Sequence, residues 1–297
     1  MLSHQLREPS PPRRVVVLGS RGFVGSALVE LFRRDGWSHL ALSRSDVDLS
    51  EPGAGAGVRS ILQPHDAVVV AAALTPDKGR DVAPLMKNLR MAEALAEALP
   101  EARCAHLVYI SSDAVYDGRE SMISEDTAPS PTDLYSLMHS ARERILGHVA
   151  QAHAIPFCVL RPCAIFGPGD THNSYGPNRF VRSALKERRI KLFGAGEETR
   201  DHVYVEDVVA MIREVLQQRS TGILNAVSGQ AVSFGDLARL IAELAGHEVT
   251  VDSLPRSGPV THRQFDTTVL LKSLPHVRPT ELREGIRRTI VGLREKA

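Results

Sequence analysis

Three glycines, Gly19, Gly22 and Gly25, follow a short apolar run near the start of the 297-residue chain. The segment reads VVVLGSRGFVG, and its GxxGxxG spacing predicts a tight turn between a buried strand and a helix whose first turn holds Phe23 and Val24. Glycine lets the backbone approach a phosphate closely, and the N–H groups at a helix N-terminus point toward it. The pattern therefore predicts a cradle for the pyrophosphate of a dinucleotide. A tight turn of purely structural use is the alternative.

Two arginines lie where they could select between dinucleotides. Arg21 belongs to the glycine turn, and Ser43 and Arg44 follow the second predicted strand. At that second position an NAD-binding chain usually carries an acidic residue, which holds the ribose 2′-hydroxyl. Two guanidinium groups suit a 2′-phosphate instead, because they form charge-assisted and bidentate contacts with it. We therefore expect NADP(H) to be preferred over NAD(H), unless both arginines are solvated loop residues.

A serine and a tyrosine–histidine pair are candidates for acid–base chemistry. Ser112 follows the apolar run at 106–111, so its hydroxyl is expected at the carboxyl edge of a sheet, where it could hydrogen-bond a carbonyl oxygen. Tyr135 and His139 are four residues apart in a predicted helix and share one face of it. Alone, such a pair on a helix surface is more often structural than catalytic.

The composition is that of an ordinary soluble globular protein. Apolar residues make up 43% of the chain and the formal charge is +1, which gives no reason to expect a nucleic-acid partner. No apolar run reaches the roughly 20 residues of a membrane-spanning helix, and residues 1–12 are expected to form a flexible, proline-rich leader without the apolar core of a signal peptide. Cys104, Cys158 and Cys163 form no CxxC pair, which favours a reducing cytoplasm. The histidines show no metal-ligand spacing, so no metal is expected.

Strand-like apolar runs alternate with helical patterns along the first half of the chain. This alternation predicts an α/β fold of the Rossmann type, a doubly wound parallel sheet with helices on both faces. Strands are expected at 15–18, 40–42, 67–73, 106–111 and 157–160, and helices at 24–34, 81–99 and 133–151. Residues 53–57, GAGAG, are expected to form a short flexible loop.

A change of composition after residue 166 indicates a second lobe. From Gly167 onward the chain is rich in Gly, Pro, Asn and His and then settles into shorter elements, one of which begins with Ser233 and Asp236 in the pattern of a capping box. We expect a dinucleotide-binding domain over residues 13–166. A smaller α/β substrate-binding lobe is expected over 167–297, with residues 201–230 returning to the first domain.

The order of these motifs resembles that of the extended short-chain dehydrogenase/reductases, a superfamily of NAD(P)-dependent nucleotide-sugar epimerases, dehydratases and reductases. Besides the glycine motif, Ser112 matches the family's strand-end Ser/Thr, and Tyr135 matches the tyrosine of its YxxxK motif. LRPCAIFGPGD resembles the segment R-x-x-x-x-Y-G-P, TRDHVYVED resembles RDF-hydrophobic-HVxD, and residues 256–285 resemble the carboxyl-terminal pattern. Shorter segments are similar to GDP-fucose synthases and to dTDP-4-dehydrorhamnose reductases.

The resemblance implies a nucleotide-sugar substrate, a homodimer formed through the helices at 81–99 and 133–151, and catalysis by Ser112, Tyr135 and His139. The implied cofactor contacts are Gly19, Arg21, Gly22, Phe23, Val24, Gly25, Ser43, Arg44, Asp48, Leu49, Ala71, Ala72, Asn88, Tyr135 and His139. The implied substrate contacts are Ser112, Asp113, His172, Asn178, Phe193, Arg200 and Arg256.

Several of these substrate contacts have individual expectations attached. Arg200 and Arg256 match family arginines that hold the diphosphate, and Phe193 matches an aromatic residue near the nucleobase. Phe193 could instead be a core residue, and Arg200 could instead pair with Asp201 or Asp207. His172, in a loop, is a further candidate acid or base.

The main departure from the family pattern is His139, which stands where the family has its catalytic lysine. An ammonium at about 4 Å lowers a tyrosine pKa by roughly 3 units, whereas a histidine, with an unperturbed pKa of about 6.5, is mostly neutral at pH 7. Tyr135 should then ionise less readily, which hinders alcohol oxidation more than ketone reduction. The sequence therefore favours an NADPH-dependent reductase of a keto-sugar. A nucleotide-sugar epimerase and a non-catalytic NADP(H)-binding sensor or scaffold are the alternatives.

Overall fold

The computed structural model describes residues 2–118, 120–256 and 258–295. Within these ranges no helix is both long enough and apolar enough to cross a membrane. The strands are β1 (Arg14–Leu18), β2 (His39–Leu42), β3 (Asp66–Val70), β4 (His106–Ile110), β5 (Met122–Ile123), β6 (Phe157–Pro162), β7 (Ala164–Phe166), β8 (Arg189–Phe193), β9 (Thr199–Tyr204), β10 (Gly222–Ala226), β11 (Ala231–Ser233), β12 (Thr250–Leu254) and β13 (Gln264–Phe265). The helices are α1 (Phe23–Arg34), α2 (Ala54–Ile61), α3 (Val82–Ala102), α4 (Leu134–Ala152), α5 (Pro177–Glu187), α6 (Val205–Gln217), α7 (Phe234–Leu244), α8 (Thr268–Ser273) and α9 (Leu282–Arg294).

Six parallel strands form the central sheet, in the order β10-β6-β4-β3-β1-β2. The valines of β1 are fully buried, and successive side chains of a strand point to opposite faces. Val15 and Val17 therefore pack with Leu28 of α1 on one face, while Val16 packs with Leu95 of α3 on the other. Helices cover both faces, which confirms the doubly wound Rossmann-type fold predicted from the sequence.

The order of strands reverses at β1. β2 pairs with one edge of β1 and β3 with the other, so the loops that leave β1 and β3 run in different directions from the same end of the sheet. Ligands of open α/β sheets bind in the crevice that forms at such a point. The glycine turn that begins at Gly19 lies in this crevice.

A second group of elements follows β6. The strands β11-β9-β7 form one small sheet, β12 pairs with β8, and their core contains Phe166, Phe180, Phe234 and Ile286. Two elements from this half of the chain join the large sheet instead, because β10 pairs with β6, and Val208 of α6 packs in the same core as β1.

Residues 53–57, expected to be a loop, begin helix α2, so that prediction was wrong. Gly53 caps the helix in the left-handed conformation, with φ of +78°. A Cβ atom at Gly55 would lie 2.9 Å from the carbonyl oxygen of Ala94 in α3, so glycine allows the two helices to approach closely. In α7 the hydroxyl of Ser233 accepts a hydrogen bond from the N–H of Asp236 at 2.9 Å, as the capping pattern predicts.

The amino-terminal residues, expected to be a flexible leader, lie against the large sheet's last strand. Ser3 forms a β-bridge with Thr221, and Leu2 packs on the sheet's core. The ring of His4 contacts Ser220 (Nδ1···Oγ, 2.8 Å) and the carbonyl of Ser273 (Nε2···O, 3.0 Å). No local pattern reveals these contacts, because the partner serine is 216 residues away along the chain.

Candidate active site

The glycine turn packs tightly against the loop that follows β3. Gly19 has a φ of +94°, and a Cβ atom there would lie 2.6 Å from the backbone nitrogen of Ala72. A Cβ atom at Gly25 would lie 2.1 Å from the carbonyl oxygen of Gly19, so the backbone itself requires glycine at both positions. Gly22 has more room. It is the N-cap of α1 and offers no side chain to the first N–H groups of the helix, which leaves them available to an anion.

Two cavities meet at this turn and share Gly22, Ala71 and Ala73 in their walls. Cavity A, of about 250 Å³, lies at the carboxyl ends of β1 and β2. Cavity B, of about 330 Å³, lies between the carboxyl end of β4, the start of α4 and the loop that precedes α5. Their junction at the helix N-terminus is where a pyrophosphate would bridge them.

Cavity A has more positive than negative charge in its wall. From the expected cofactor-binding set it is lined by Gly19, Arg21, Gly22, Ser43, Arg44, Asp48, Leu49, Ala71 and Ala72. Arg44 is ion-paired with Asp48 at 2.7 Å, and its side chain is 77% exposed. Lys87 and Met91 also line the cavity. Sequence reasoning missed both, because only the tertiary packing of α3 brings them to this edge of the sheet.

Cavity B brings together the residues expected to be catalytic. Ser112, Tyr135 and His139 line it from the large sheet and α4. The other expected residues in its wall are Gly22, Phe23, Val24, Ala71, Asp113, His172 and Asn178. Cys163, Phe166 and Tyr175 also line it and were not foreseen.

Ser112 is held at the end of β4, where a short 3-10 turn begins. Its Oγ accepts a hydrogen bond from the N–H of Ala114 at 3.1 Å, which orients the hydroxyl. The next residue, Asp113, forms an ion pair with Arg263 at 2.8 Å, and Arg263 also donates to the carbonyl of Tyr116 at 3.1 Å. Arg263 was missed because it lies 150 residues away along the chain. This pair ties the carboxyl-terminal part of the chain to the wall of cavity B.

Tyr135 lies in the first turn of α4. Asp133 caps this helix through a capping box with Ser136, in which each side chain accepts a hydrogen bond from the other residue's N–H, at 2.7 and 3.0 Å. The tyrosine lines cavity B, and its partial burial raises the phenol pKa to about 12. A hydrogen bond with Ser112 opposes that rise in pKa. Tyr135 is therefore a protonated phenol at neutral pH in the free protein.

His139 is buried behind Tyr135, and the two rings meet edge to face with their centroids 4.7 Å apart. Burial lowers its pKa to about 3, and the nearby Arg142 acts in the same direction, so the imidazole is neutral. Nδ1 lies 2.7 Å from the hydroxyl of Tyr109. Nε2 is buried and has no hydrogen-bond partner among the described residues. A ribose hydroxyl in cavity B would provide that partner.

The two asparagines expected at the site use their side-chain amides to bind the backbone of loops. Asn88 lines neither cavity, and its amide is bonded to the N–H and the carbonyl of Leu74 at 2.9 and 3.0 Å. Asn178 does line cavity B, but its amide is bonded to the N–H and the carbonyl of Gly167 at 3.0 and 2.6 Å. His172 pairs with Asp170 at 3.2 Å, and this hydrogen bond raises the pKa of its imidazole.

Three expected substrate contacts lie outside the wall of cavity B. Arg200 donates to the carbonyl and the hydroxyl of Thr261 at 2.8 and 2.6 Å, rather than pairing with an aspartate. Arg256 pairs with Glu197 and, at 3.3 Å, with Glu198. Phe193 is 42% exposed, so it is not a core residue, and its ring centroid lies 5.3 Å from that of Tyr175 in the cavity wall.

Comparisons with known proteins agree with this architecture. Residues 15–226 match the model of the NAD dependent epimerase/dehydratase family. The chain is 32% identical over 169 residues to the dTDP-L-rhamnose 4-epimerase of Burkholderia thailandensis, which covers 55% of this chain and 47% of that protein. It is 26% identical over 311 residues to the UDP-glucose 4-epimerase of Mycolicibacterium smegmatis, which covers 96% of this chain and 99% of that one.

Solved structures extend the likeness over nearly the whole chain. MoeE5 in complex with UDP-glucose and NAD superposes with a TM-score of 0.84 at 27% identity, covering 95% of this chain and 99% of that chain. For three curated relatives, by contrast, the matched part spans only 66%, 47% and 50% of their length. The family model covers well over half of this chain. The chain belongs to the NAD dependent epimerase/dehydratase family, a family of extended short-chain dehydrogenase/reductases.

Proposed function

We propose that this protein is a nucleotide-sugar epimerase that uses a bound NAD(P) and regenerates it in each turnover. The observation that carries the proposal is cavity B, which is lined by Ser112, Tyr135 and His139 and shares part of its wall with the glycine cradle. MoeE5, similar over nearly the whole chain, binds UDP-glucose and NAD. The family match and the likeness to a dTDP-L-rhamnose 4-epimerase and a UDP-glucose 4-epimerase support an epimerase over the keto-sugar reductase that the sequence favoured.

In this proposal each residue has a distinct role. The glycine turn and the residues of cavities A and B would hold a nicotinamide dinucleotide, which when bound would supply reversible hydride transfer to this site. The phenolate form of Tyr135 takes the proton of the sugar hydroxyl during oxidation, and the phenol formed in this way gives the proton back during reduction. Ser112 hydrogen-bonds the sugar oxygen as it changes between hydroxyl and carbonyl. Nε2 of His139 holds a hydroxyl of the nicotinamide ribose, which a neutral imidazole can do as donor or acceptor.

The experiment that tests this function supplies the purified protein with a catalytic amount of NAD⁺ and, in turn, with UDP-, dTDP- and GDP-hexoses. Proton NMR of the sugar ring is expected to show an epimer, with no net change in nicotinamide absorbance. The Tyr135→Phe variant should not form it, whereas Tyr204→Phe, altered outside both cavities, should form it at the wild-type rate. No epimer from any of these sugars, despite bound cofactor, would contradict the proposal.

A keto-sugar reductase is the second candidate, and the protonation of Tyr135 favours it. Burial raises the phenol pKa to about 12, which suits a group that donates a proton to a ketone oxygen. The two functions differ in stoichiometry. Supplied with a nucleotide-linked keto-sugar, a reductase consumes one NADPH for each alcohol that it forms, whereas an epimerase needs no net reductant.

We further propose that the cofactor is NADP(H) in preference to NAD(H), a choice supported by Arg21, Arg44 and Lys87 in the wall of cavity A. A homodimer formed through α3 and α4 is also proposed. Exposed apolar side chains on these helices support it, namely Val82 at 60%, Met86 at 45% and Leu137 at 44% exposure. Light scattering of the wild type and of Met86→Glu would test it, because a charge at the centre of such an interface should yield a monomer.

A further inference from the structure

Arg142 of α4 is a fully buried cation that no carboxylate neutralises in the described part of the chain. Nη2 donates to the carbonyl of Ala72 at 2.9 Å, and Nη1 donates to Oδ1 of Asn88 at 3.3 Å; both acceptors are neutral. Nε has no partner. Burying an unpaired charge is costly, and an apolar side chain could fill the same space at lower cost. A purely structural role therefore explains this arginine poorly.

The guanidinium lies next to the groups at the base of cavity B. Arg142 follows Tyr135 by two turns on the same face of α4, and helix side chains lean toward the N-terminus. Its contact with the sulfur of Met138 at 4.0 Å, one turn earlier, reflects this lean. Its Cζ also lies 5.0 Å from the centre of the Tyr109 ring, whose hydroxyl contacts His139. Tyr109 and Met138, which contact this charge, are both buried.

The carboxylates closest to Arg142 and Tyr135 already have cationic partners. Asp113 forms its ion pair with Arg263, and Glu143, the residue after Arg142, is paired with Arg161 at 2.6 Å. The other charged or titratable groups that face Tyr135 or line a cavity with it are Arg80, Asp81, Tyr109, Asp133, His139, Cys163, Asp170, His172 and Tyr175. Of these, His139 and Tyr109 are neutral, because burial lowers the pKa of the first and raises the pKa of the second.

We propose that Arg142 supplies the fixed positive charge that a lysine at position 139 supplies in the family motif, while His139 keeps only the hydrogen-bonding part of that role. This inference rests on the proposed function, in which Tyr135 moves the proton. Arg142 does not touch the reacting atoms; it is a positioning residue that acts through Tyr135. Because Arg142 supplies the charge and His139 the hydrogen bond, a chain without the lysine can still oxidise an alcohol, as an epimerase must in its first half-reaction.

The expected effect has a definite sign. A nearby cation stabilises the phenolate of Tyr135, so it opposes the rise in the phenol pKa caused by burial. Removing the cation raises that pKa further, and the pH at which alcohol oxidation reaches half of its maximum rate moves upward. For a cation in a partly desolvated layer we expect a shift of about one to two pH units.

The test compares the pH profile of sugar oxidation in the wild type and in three variants. Arg142→Met removes the charge, Arg142→Lys keeps it but loses the planar fork, and Arg142→Met combined with His139→Lys moves it to the family position. Only Arg142→Met should shift the profile upward, and the double variant should bring it back. If Arg142→Met and Arg142→Lys lower the rate equally and leave the profile in place, Arg142 is structural and the proposal is overturned.

A second readout does not depend on turnover of a sugar. A fluorinated tyrosine, whose phenol ionises at lower pH, is placed at position 135 and titrated by ¹⁹F NMR with and without NAD⁺. Arg142→Met should raise its pKa in both states, while Arg142→Lys should leave it unchanged. A shift without epimerisation of any nucleotide sugar would leave the role of Arg142 intact and refute the proposed function. Epimerisation without a shift would refute the role of Arg142 alone.

Discussion

Cavities A and B meet at one glycine, yet their polar groups are held very differently. Around cavity B, His139 is 2% exposed and Arg142 is 0% exposed, and both are bonded to buried partners. In cavity A, by contrast, Arg21 is exposed and the side chain of Arg44 is 77% exposed. A charge acts over a longer range where water and salt are excluded. This contrast suits the proposed chemistry in cavity B and the proposed recognition of the cofactor in cavity A.

This difference determines how each region responds to substitution. Around cavity B the groups are coupled, because Tyr109 contacts His139 and His139 in turn contacts Tyr135. A change at one of them therefore alters the pKa of the next. The cations of cavity A, by contrast, are all exposed to solvent. Their effects should add and should weaken with salt.

The largest effect should follow from removing one oxygen atom in cavity B. We expect Tyr135→Phe to lower kcat by about 10³-fold, since positioned acid–base groups contribute roughly 10² to 10⁴ in rate. Thermal unfolding and cofactor affinity should change little, because the ring and its packing against His139 remain. Steady-state kinetics with the matched Tyr204→Phe control measure this. Retention of more than about a tenth of kcat would make Tyr135 dispensable and shift the chemistry away from cavity B.

Mild acid should lower the free energy of unfolding through three buried histidines before it affects the exposed groups of cavity A. Burial lowers the pKa of His106 to about 4, and those of His139 and His202 to about 3 each. The unfolded chain binds protons at these sites near pH 6.5 while the native state does not, so stability is fully present above that pH and is lost as pH falls. Three such sites amount to roughly 4 kcal/mol per pH unit between about pH 6 and 5.

Urea unfolding at a series of pH values checks this expectation. In His139→Asn the slope of unfolding free energy against pH should decrease by the contribution of one proton. In the control His65→Asn, which alters an exposed histidine, the slope should stay unchanged. A free energy of unfolding that is constant from pH 7 to 5 would mean that these imidazoles are protonated, and accessible to water, in the native state.

Alanine substitutions at two glycines of the turn should affect protein stability and cofactor binding separately. Gly19→Ala places a Cβ atom 2.6 Å from backbone at a φ of +94°, and we expect it to lower the free energy of unfolding by more than about 1 kcal/mol. Gly22→Ala meets only the carbonyl of Gly19, at 3.2 Å, and leaves φ in the ordinary range, so it should lower stability less than Gly19→Ala does. It should nevertheless bind NADP(H) more weakly, because the methyl group enters the space shared by the two cavities. Differential scanning fluorimetry and nicotinamide fluorescence titration separate the two effects, and unchanged affinity in Gly22→Ala would place the pyrophosphate elsewhere.

The sequence predicted those parts of the molecule that depend on local pattern. A continuous valine run predicted β1, and three spaced glycines predicted the turn at the sheet edge. The four-residue spacing of Tyr135 and His139 predicted that their rings share a face, which the structure bears out with a centroid distance of 4.7 Å. In each case the determining contacts lie within a few residues of chain.

Long-range contacts could not be predicted in this way. Arg263 reaches Asp113, and Lys87 reaches cavity A, only because distant elements pack together. Arg200 is bonded to Thr261, 61 residues away along the chain, rather than to a neighbouring aspartate. Arg142 was not noticed at all, because an arginine in a helical pattern is typical of a solvent-facing position and nothing nearby in the sequence signals its burial.

The smallest effects should come from the cations of cavity A, and they are the sharpest test of the contrast between the cavities. We suppose that Arg21, Arg44 and Lys87 face the 2′-phosphate through solvent. Each Ala variant should then lower the preference for NADPH over NADH by a few-fold. The triple variant should lower it by the product of the three single effects, about tenfold or more. Tenfold corresponds to about 1.4 kcal/mol. Asp48→Asn is the matched control, because it frees Arg44 from its ion pair and should raise the preference.

Fluorescence titrations of both nucleotides at low and high salt give these ratios. Solvent-mediated contacts should weaken together as salt screens them, whereas kcat with saturating cofactor should not follow, since the chemistry takes place in cavity B. A preference carried entirely by one cation and insensitive to salt would indicate a desolvated, bidentate contact. Cavity A would then be as rigidly organised as cavity B, and the contrast drawn from the exposure of Arg44 would be wrong.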